Sequence, residues 1–219
     1  MSFHNMHEWK QRGDLPLKIT RKEEAYKLLK KMGLSVIEMK TIRGVDTTQD
    51  KSSELEEYLN KYSPFLILAT PNDNQHPKEG EFDIQTIEDF QRFVNKLKDI
   101  NIYDLNLIQM VFGVPDGFVG TAVSSNLETF VEILVEEGIT DVRKLTSGNA
   151  DASKIANARF IGRILKSGNP KDYLKYLSKI RDLVGPRAGY YEFIKGEVRG
   201  VKNIWFVDYQ ADPIYKNIL

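Results

Sequence analysis

The chain has 219 residues, with 31 basic and 31 acidic side chains and therefore no formal net charge. This balance argues against a nucleic-acid-binding protein that relies on bulk electrostatic attraction. Hydrophobic residues make up 41% of the sequence, enough to build the core of one large domain or of two lobes. Cysteine is absent, which excludes disulfides, thiolate metal sites and a cysteine nucleophile.

The sequence shows no sign of a membrane segment. No apolar run approaches the roughly 20 residues that a membrane span needs, and no signal-peptide pattern opens the chain. We therefore expect a soluble, cytoplasmic protein with no membrane partner. The oligomeric state stays open, a homo-oligomer included.

Residues 1–104 predict a smaller α/β lobe in which helices and strands alternate. Thr20 and Glu23 have the spacing of a capping box, which marks the start of a helix. The predicted elements are a helix over 20–33, a strand over 34–42, a helix over 53–61, a buried strand over 65–69, a turn-rich loop over 70–80 and a helix that Thr86 caps. Lys40 lies in the first of these strands, where its ammonium either contacts a phosphate or is solvated.

Residues 105–219 predict a larger lobe of antiparallel strands with two helices. The connections after residue 121 are too short for parallel crossovers, which favours antiparallel pairing. The predicted elements are a hairpin of strands 105–112 and 118–123 around a turn at 113–117, a strand over 129–135, an extended piece at 141–143, helices over 151–166 and 169–185, and a final hairpin over 189–210.

The final hairpin carries one acid in each strand. Aromatic and β-branched residues fill both strands, and glycines punctuate them. Glu192 lies in the first strand and Asp208 in the second, so the two carboxylates can face the same side. Paired carboxylates on rigid strands can hold Mg²⁺ against the phosphates of a nucleotide. The alternative is a surface hairpin whose acids are simply solvated.

The order of several short motifs resembles one known family. Residues 109–113 (Gln-Met-Val-Phe-Gly) and 120–122 (Gly-Thr-Ala) are similar to segments of the nucleotide-binding domain of the pyruvate phosphate dikinase and phosphoenolpyruvate synthase family. Residues 191–193 (Tyr-Glu-Phe) and 207–213 resemble its Ile-Glu-Phe strand and its closing Leu-Gln-x-Arg-Pro. The resemblance spans about residues 105–213 and implies the ATP-grasp fold. That fold is α+β, with two lobes of largely antiparallel sheet and a cleft between them.

The resemblance also implies a site for ATP and Mg²⁺. The implied residues are Glu192 and Asp208 as metal ligands and Gln109, Met110, Glu132 and Gln210 as nucleotide contacts. If the chain is an ATP-dependent enzyme, Lys40 or Arg143 would be the catalytic phosphate contact. ATP-grasp chemistry activates a carboxylate or transfers a phosphoryl group, and both reactions need cationic groups to stabilise charge on the phosphoryl group. An ATP·Mg-dependent ligase or phosphotransferase is the first hypothesis. Its acceptor substrate is open.

Departures from the family pattern support a second hypothesis. The family's phosphate-binding arginine segment is replaced by Leu68-Ala69-Thr70-Pro71, and the closing arginine is Asp212. A glycine-rich phosphate segment near the N-terminus has no match. The second hypothesis is therefore a binding or assembly protein that keeps the fold without the chemistry. A nucleic-acid-processing accessory is the third, and zero net charge argues against it.

Overall fold

The computed structural model describes residues 22–43, 52–72, 76–125, 127–135, 154–185 and 187–211. In these residues the helices are α1 (Lys22–Lys31), α2 (Ser52–Tyr62), α3 (Ile87–Val94) and α4 (Leu174–Val184), with 3-10 turns at Ile100–Ile102 and Lys171–Tyr173. The strands are β1 (Met39–Arg43), β2 (Phe65–Pro71), β3 (Glu79–Ile84), β4 (Tyr103–Gln109), β5 (Phe118–Ser124), β6 (Glu128–Val135), β7 (Lys154–Ile161), β8 (Ile164–Asn169), β9 (Gly189–Val198) and β10 (Val201–Ala211).

The chain divides into two compact units, each with one antiparallel sheet. One unit is Ile37–Val111, and the other combines Met1–Val36 with Phe112–Leu219. The two antiparallel sheets confirm the predicted α+β class. The division differs from the predicted lobes 1–104 and 105–219, because α1 buries its apolar side against the sheet of the unit that contains Phe112–Leu219.

The unit Ile37–Val111 is built on a four-stranded sheet in the order β1-β4-β2-β3. Its core combines sheet residues such as Phe65 and Leu107 with Leu59 of α2 and Phe93 of α3. Thr86 caps helix α3, as the sequence predicts, and the structure shows a full capping box there. The Asp89 amide donates to the Thr86 hydroxyl, and the Thr86 amide donates to the Asp89 carboxylate.

The other unit is built on a six-stranded sheet in the order β10-β9-β5-β6-β7-β8. Helices α1 and α4 both pack on one face of this sheet, through Leu29 and Ile180 among others. The side chains that they cover alternate along each strand, as in Tyr191 and Phe193 of β9. We call the opposite face the helix-free face, because no described helix of this unit packs on it.

The predicted helix over 151–166 is wrong, since its described residues, from 154 onwards, belong to β7 and β8 and the turn between them. Ala156, Ala158 and Phe160 are buried while Ile155 and Ile161 are exposed, which is the two-residue period of a strand. The apolar residues matched a helical spacing only because they were drawn from both faces of the sheet. Residues 162–163 make the turn between the two strands, with Gly162 at φ +55°.

The predicted hairpin of residues 105–112 with 118–123 is also wrong. β4 pairs with β1 and β2 in the four-stranded sheet, whereas β5 pairs with β6 and β9 in the six-stranded sheet. A second difference is β3, which begins inside the loop predicted over 70–80. β3 is an exposed edge strand rich in charged residues, so it lacks the alternation that identifies a strand in sequence.

Some predictions concern residues that lie outside the described ranges. These are the helix start at Thr20, the extended piece at 141–143 and the position of Arg143. Within the described ranges, none of the helices has the length and apolar character required to cross a membrane.

A substitution at Gly120 can test the close packing of β5 against its neighbouring strands. A Cβ at this position would lie 2.3 Å from the Glu132 carbonyl oxygen and 2.7 Å from the Phe193 ring. We expect Gly120→Ala to lower the free energy of unfolding by about 1–3 kcal/mol, because the backbone of β6 must move to admit the methyl group. Urea unfolding monitored by tryptophan fluorescence measures this.

The matched control is Gly80→Ala, whose Cβ would come no closer than 3.3 Å to the Ile67 carbonyl oxygen. We expect Gly80→Ala to lower the free energy of unfolding by less than Gly120→Ala does. Equal stabilities of Gly120→Ala and the wild type would contradict the packing described here.

Candidate functional site

One row of polar side chains crosses the six-stranded sheet. The register pairs Asp208 with Glu192, Glu192 with Thr121, Thr121 with Glu132, Glu132 with Asn157, and Asn157 with Asn169. Residues that pair directly across antiparallel strands point to the same face. We call these six residues the polar row. It contains one residue from every strand of the sheet.

The polar row lies on the helix-free face. Neighbours of the row along the strands, such as Tyr191, Ala122 and Val131, belong to the core that α1 and α4 cover. Because strand side chains alternate, the row points the other way. Its members are half-buried, except for the exposed Asn169. Half-buried polar groups on rigid strands are well placed to bind a polar ligand.

A β-bulge places Asp208 on this face. Phe206 pairs with Phe193, and Asp208 pairs with the next residue of β9, Glu192, so Val207 is an extra residue in β10. In a regular strand Asp208 would share the core face with Phe206, which is fully buried. The bulge reverses this alternation, and Asp208 lies directly opposite Glu192.

A donor of the protein binds an oxygen of each of the two carboxylates. The Tyr190 hydroxyl donates to Glu192 Oε1 at 3.0 Å, and the Tyr209 amide donates to Asp208 Oδ1 at 2.9 Å. Burial raises the pKa of Tyr190, and the negative charges of Glu192 and Asp208 add to the shift. Tyr190 is therefore a neutral hydrogen-bond donor at physiological pH. Gln210 pairs with Tyr190 and faces the same side.

The pair Glu192 and Asp208 fits a magnesium ion that is shared with a ligand. Mg²⁺ commonly binds one or two carboxylates and completes its shell with water and phosphate oxygens. Within the described ranges, no three His, Cys, Asp or Glu side chains are grouped so that they could hold a metal ion. Two carboxylates alone do not make a closed structural metal site, but they suit an ion that arrives with a phosphate ligand.

Glu132 belongs to the polar row, whereas Gln109 and Met110 belong to the unit Ile37–Val111. Gln109 is buried, and its amide binds main chain at both ends. Its Nε2 donates to the Tyr62 carbonyl at 3.1 Å, and its Oε1 accepts from the Glu38 amide at 3.4 Å. The Gln109 side chain therefore ties the end of α2 to the segment before β1.

Lys40 lies in β1 of the same unit, and its ammonium nitrogen is 5.2 Å from the centre of the Tyr58 ring. This cation–π contact holds the lysine head group in place. The Tyr58 hydroxyl is buried and has no hydrogen-bond partner within the described residues. Burial, with a smaller contribution from the charge of Glu38, raises the pKa of Tyr58.

Sequence reasoning did not assign a role to Thr121, Asn157, Asn169 or Tyr190. Asn157 was hidden because its strand was predicted as a helix. Thr121 lay within a recognised motif, but its partners across the sheet depend on strand order. Tyr190 could have been found from its spacing, since residues two apart in a strand share a face and Glu192 was already a candidate.

A separate cavity of 290 Å³ lies where the β5–β6 turn, the β7–β8 turn and the end of α4 meet. Its lining includes Thr129, Arg163, Arg181 and Asp182, and no member of the polar row. The Arg181 guanidinium donates to the Asp182 carboxylate and to the Arg163 carbonyl. The bond to Arg163 ties α4 to the β7–β8 turn, which is a structural role.

Comparison with known proteins gives similarity only at the level of solved structures. No family model matches the sequence, and no curated protein matches it. N5-carboxyaminoimidazole synthase from Aspergillus clavatus, in complex with ADP and 5-aminoimidazole ribonucleotide, is 12% identical with a TM-score of 0.47. This similarity covers 86% of the present chain and 43% of that chain.

Two further structures are similar at the same level. The macrocyclase MdnC of Microcystis aeruginosa, bound to precursor peptide MdnA, is 10% identical with a TM-score of 0.45, covering 91% of this chain and 55% of its own. A RiPP-associated ATP-grasp ligase of Chryseobacterium gregarium, in complex with ADP and a leader and core peptide, is 11% identical with a TM-score of 0.46, covering 89% and 53%. The chain thus spans about half the length of these proteins. All three TM-scores are below 0.5.

The acid pair predicts an unusual effect of neutralisation on stability. Like charges that face each other across antiparallel strands are destabilising, by a few tenths to about 1 kcal/mol. We therefore expect Asp208→Asn to raise the free energy of unfolding by about 0.5 kcal/mol in metal-free buffer. The asparagine oxygen can still accept from the Tyr209 amide. Urea unfolding with a chelator present measures the change.

Glu197→Gln is the matched control. Glu197 lies on the same strand as Glu192, but it pairs with Lys202, so its neutralisation removes an attraction instead of a repulsion. We expect no gain in stability from this variant. A loss of stability in Asp208→Asn equal to that of Glu197→Gln would rule out repulsion in the acid pair.

Proposed function

We propose that the chain is an ATP·Mg²⁺-dependent enzyme of the ATP-grasp type, acting as a ligase or a phosphotransferase. The observation that carries this proposal is the direct pairing of Glu192 with Asp208 on the helix-free face. A β-bulge is required to produce that pairing, and bulges are common next to active sites, where they redirect a side chain. A surface hairpin whose acids were simply solvated would not need a bulge at this position.

In this proposal Glu192 and Asp208 hold Mg²⁺ through their carboxylates. Mg²⁺ held there would neutralise charge on the nucleotide phosphates, the contribution that phosphoryl transfer and acyl-phosphate formation require. Gln210 faces the same side as the acid pair, where its amide can donate to a phosphate oxygen. Thr121 lies directly beside Glu192 on β5 and adds a hydroxyl donor.

The rest of the helix-free face suits a nucleoside. Apolar and aromatic side chains such as Ile194, Phe130 and Trp205 lie on it and are half-buried. A purine base gains affinity from such surfaces, while polar groups fix its orientation. Glu132, at the centre of the polar row, is our candidate for the polar contact to the nucleoside. Met110 and Gln109 are assigned as nucleotide contacts on the sequence resemblance alone.

Lys40 and Arg143 are the proposed phosphate contacts, and this assignment rests on sequence. The fixed position of the Lys40 ammonium over the Tyr58 ring supports a role for Lys40, since an ordered cation binds a phosphate at a smaller entropic cost. The acceptor substrate is unassigned. We propose a cytoplasmic location.

One observation favours the alternative, a binding or assembly protein without catalysis. Ala69 stands where the resembling family has a phosphate-binding arginine, and it is fully buried in the core of its unit. This position can therefore supply no cation to a phosphate. Loss of one such group typically lowers an enzymatic rate by orders of magnitude. Nucleotide binding without turnover would favour this alternative.

Thermal unfolding in the presence of ATP, with and without Mg²⁺, tests the proposed function. A ligand at 100 times its dissociation constant stabilises a protein by about 2.7 kcal/mol, which raises the midpoint visibly. We expect ATP with Mg²⁺ to stabilise the wild type, and ATP with a chelator to stabilise it less. Glu192→Gln and Asp208→Asn should lose the Mg²⁺-dependent part because each removes a metal ligand.

Glu197→Gln is the control here too, since it makes the same chemical change on β9 on the face opposite to Glu192. It should keep the full shift. Equal midpoints of the wild type with and without Mg·ATP, at millimolar ATP, would refute the proposal.

A further inference from the structure

The side chains around the acid pair limit how each carboxylate can bind a metal. Tyr190 donates to Glu192 Oε1 at 3.0 Å, and the Tyr209 amide donates to Asp208 Oδ1 at 2.9 Å. The bond from Tyr190 uses a lone pair of Glu192 Oε1. Oε2 is therefore the oxygen through which Glu192 would reach an ion.

From this geometry we propose that Tyr190 is a positioning residue that keeps Glu192 a single-oxygen metal ligand and thereby makes the site selective for Mg²⁺ over Ca²⁺. The inference rests on the proposed function, because it concerns the same metal. It assigns a role to a residue that neither the sequence pattern nor the proposed function uses.

The difference between the two ions explains why this matters. Mg²⁺ requires near-ideal octahedral coordination and keeps several waters, so it suits two single-oxygen carboxylates together with phosphate oxygens. Ca²⁺ takes six to eight oxygens and often binds a carboxylate through both. A hydroxyl held against Oε1 disfavours the two-oxygen mode at Glu192 and so disfavours Ca²⁺.

The arrangement of β9 makes Tyr190 suited to this role. Tyr190 is half-buried on the same face as Glu192, two residues away, and pairs with Val123 on one side and Gln210 on the other. Neighbours on both strands therefore restrict the ring, which keeps the hydroxyl at Oε1. The Tyr209 amide at Asp208 is main chain, and only proline at this position would remove it, which would also disrupt the strand, so Tyr190 is the group to test.

Tyr190→Phe removes the hydroxyl and keeps the ring. The experiment measures the dissociation constant of ATP for the full chain by titration calorimetry, once in saturating Mg²⁺ and once in saturating Ca²⁺. The readout is the Ca²⁺-to-Mg²⁺ ratio of the two constants. We expect the ratio to exceed one in the wild type and to fall about tenfold in Tyr190→Phe, the effect of losing one hydrogen bond to a charged group.

Tyr176→Phe is the matched control. The Tyr176 hydroxyl also donates to a carboxylate, that of Asp116 at 2.8 Å, so the variant loses the same kind of bond at a site outside the polar row. It should keep the wild-type ratio, which separates a local effect on the metal from a general loss of stability.

The outcomes distinguish this inference from the proposed function. A fall in the ratio for Tyr190→Phe alone supports the role of Tyr190. A wild-type ratio in Tyr190→Phe, with ATP binding intact in Mg²⁺, overturns that role and leaves the proposed function standing. A wild type that binds ATP with neither ion overturns both.

Discussion

The candidate site depends on one extra residue in a strand. Val207 interrupts the alternation of β10, so that Phe206 and Tyr209 point into the core while Asp208 points to the helix-free face. Without this bulge the acid would have to enter an apolar core, where an unpaired carboxylate is strongly disfavoured. The pairing of Asp208 with Glu192, and with it the place of Asp208 in the polar row, follows from that local shift.

The two faces of the large sheet have different physical roles. Helices α1 and α4 cover one face and bury its aromatic and aliphatic side chains, which supplies the stability of the unit. The other face carries the polar row, with three acids, two of them directly opposed, two amides and one hydroxyl. Arrangements that cost stability are commonly retained where function needs them. This contrast, more than any single residue, points to a ligand on the helix-free face.

The sequence was most informative where local pattern and final structure agree. The last hairpin could be predicted because apolar and polar residues alternate along much of both strands and a turn lies near residues 199–200. One of the two candidate acids occurs in each strand. The start of α3 could be predicted because the helix cap at Thr86 is a local signal. Over residues 151–166, however, apolar residues from both faces gave a helical period, so Asn157 was missed, and Asn169 was assigned to the start of the next predicted helix. Strand order, on which the polar row depends, is set by long-range pairing that no local pattern contains.

The bulge could not be predicted either, because nothing in the residues around Val207 distinguishes it from a regular strand position. The sequence therefore placed Glu192 and Asp208 on neighbouring strands, but only the register shows that they are directly opposite. The most direct test is a crystal structure of the full chain grown with Mn²⁺ and a non-hydrolysable ATP analogue, using the anomalous signal of Mn²⁺. The account predicts a manganese ion about 2.1 Å from one oxygen of Glu192 and one oxygen of Asp208. An ion bound elsewhere, or an acid pair with no ion beside it, would contradict it.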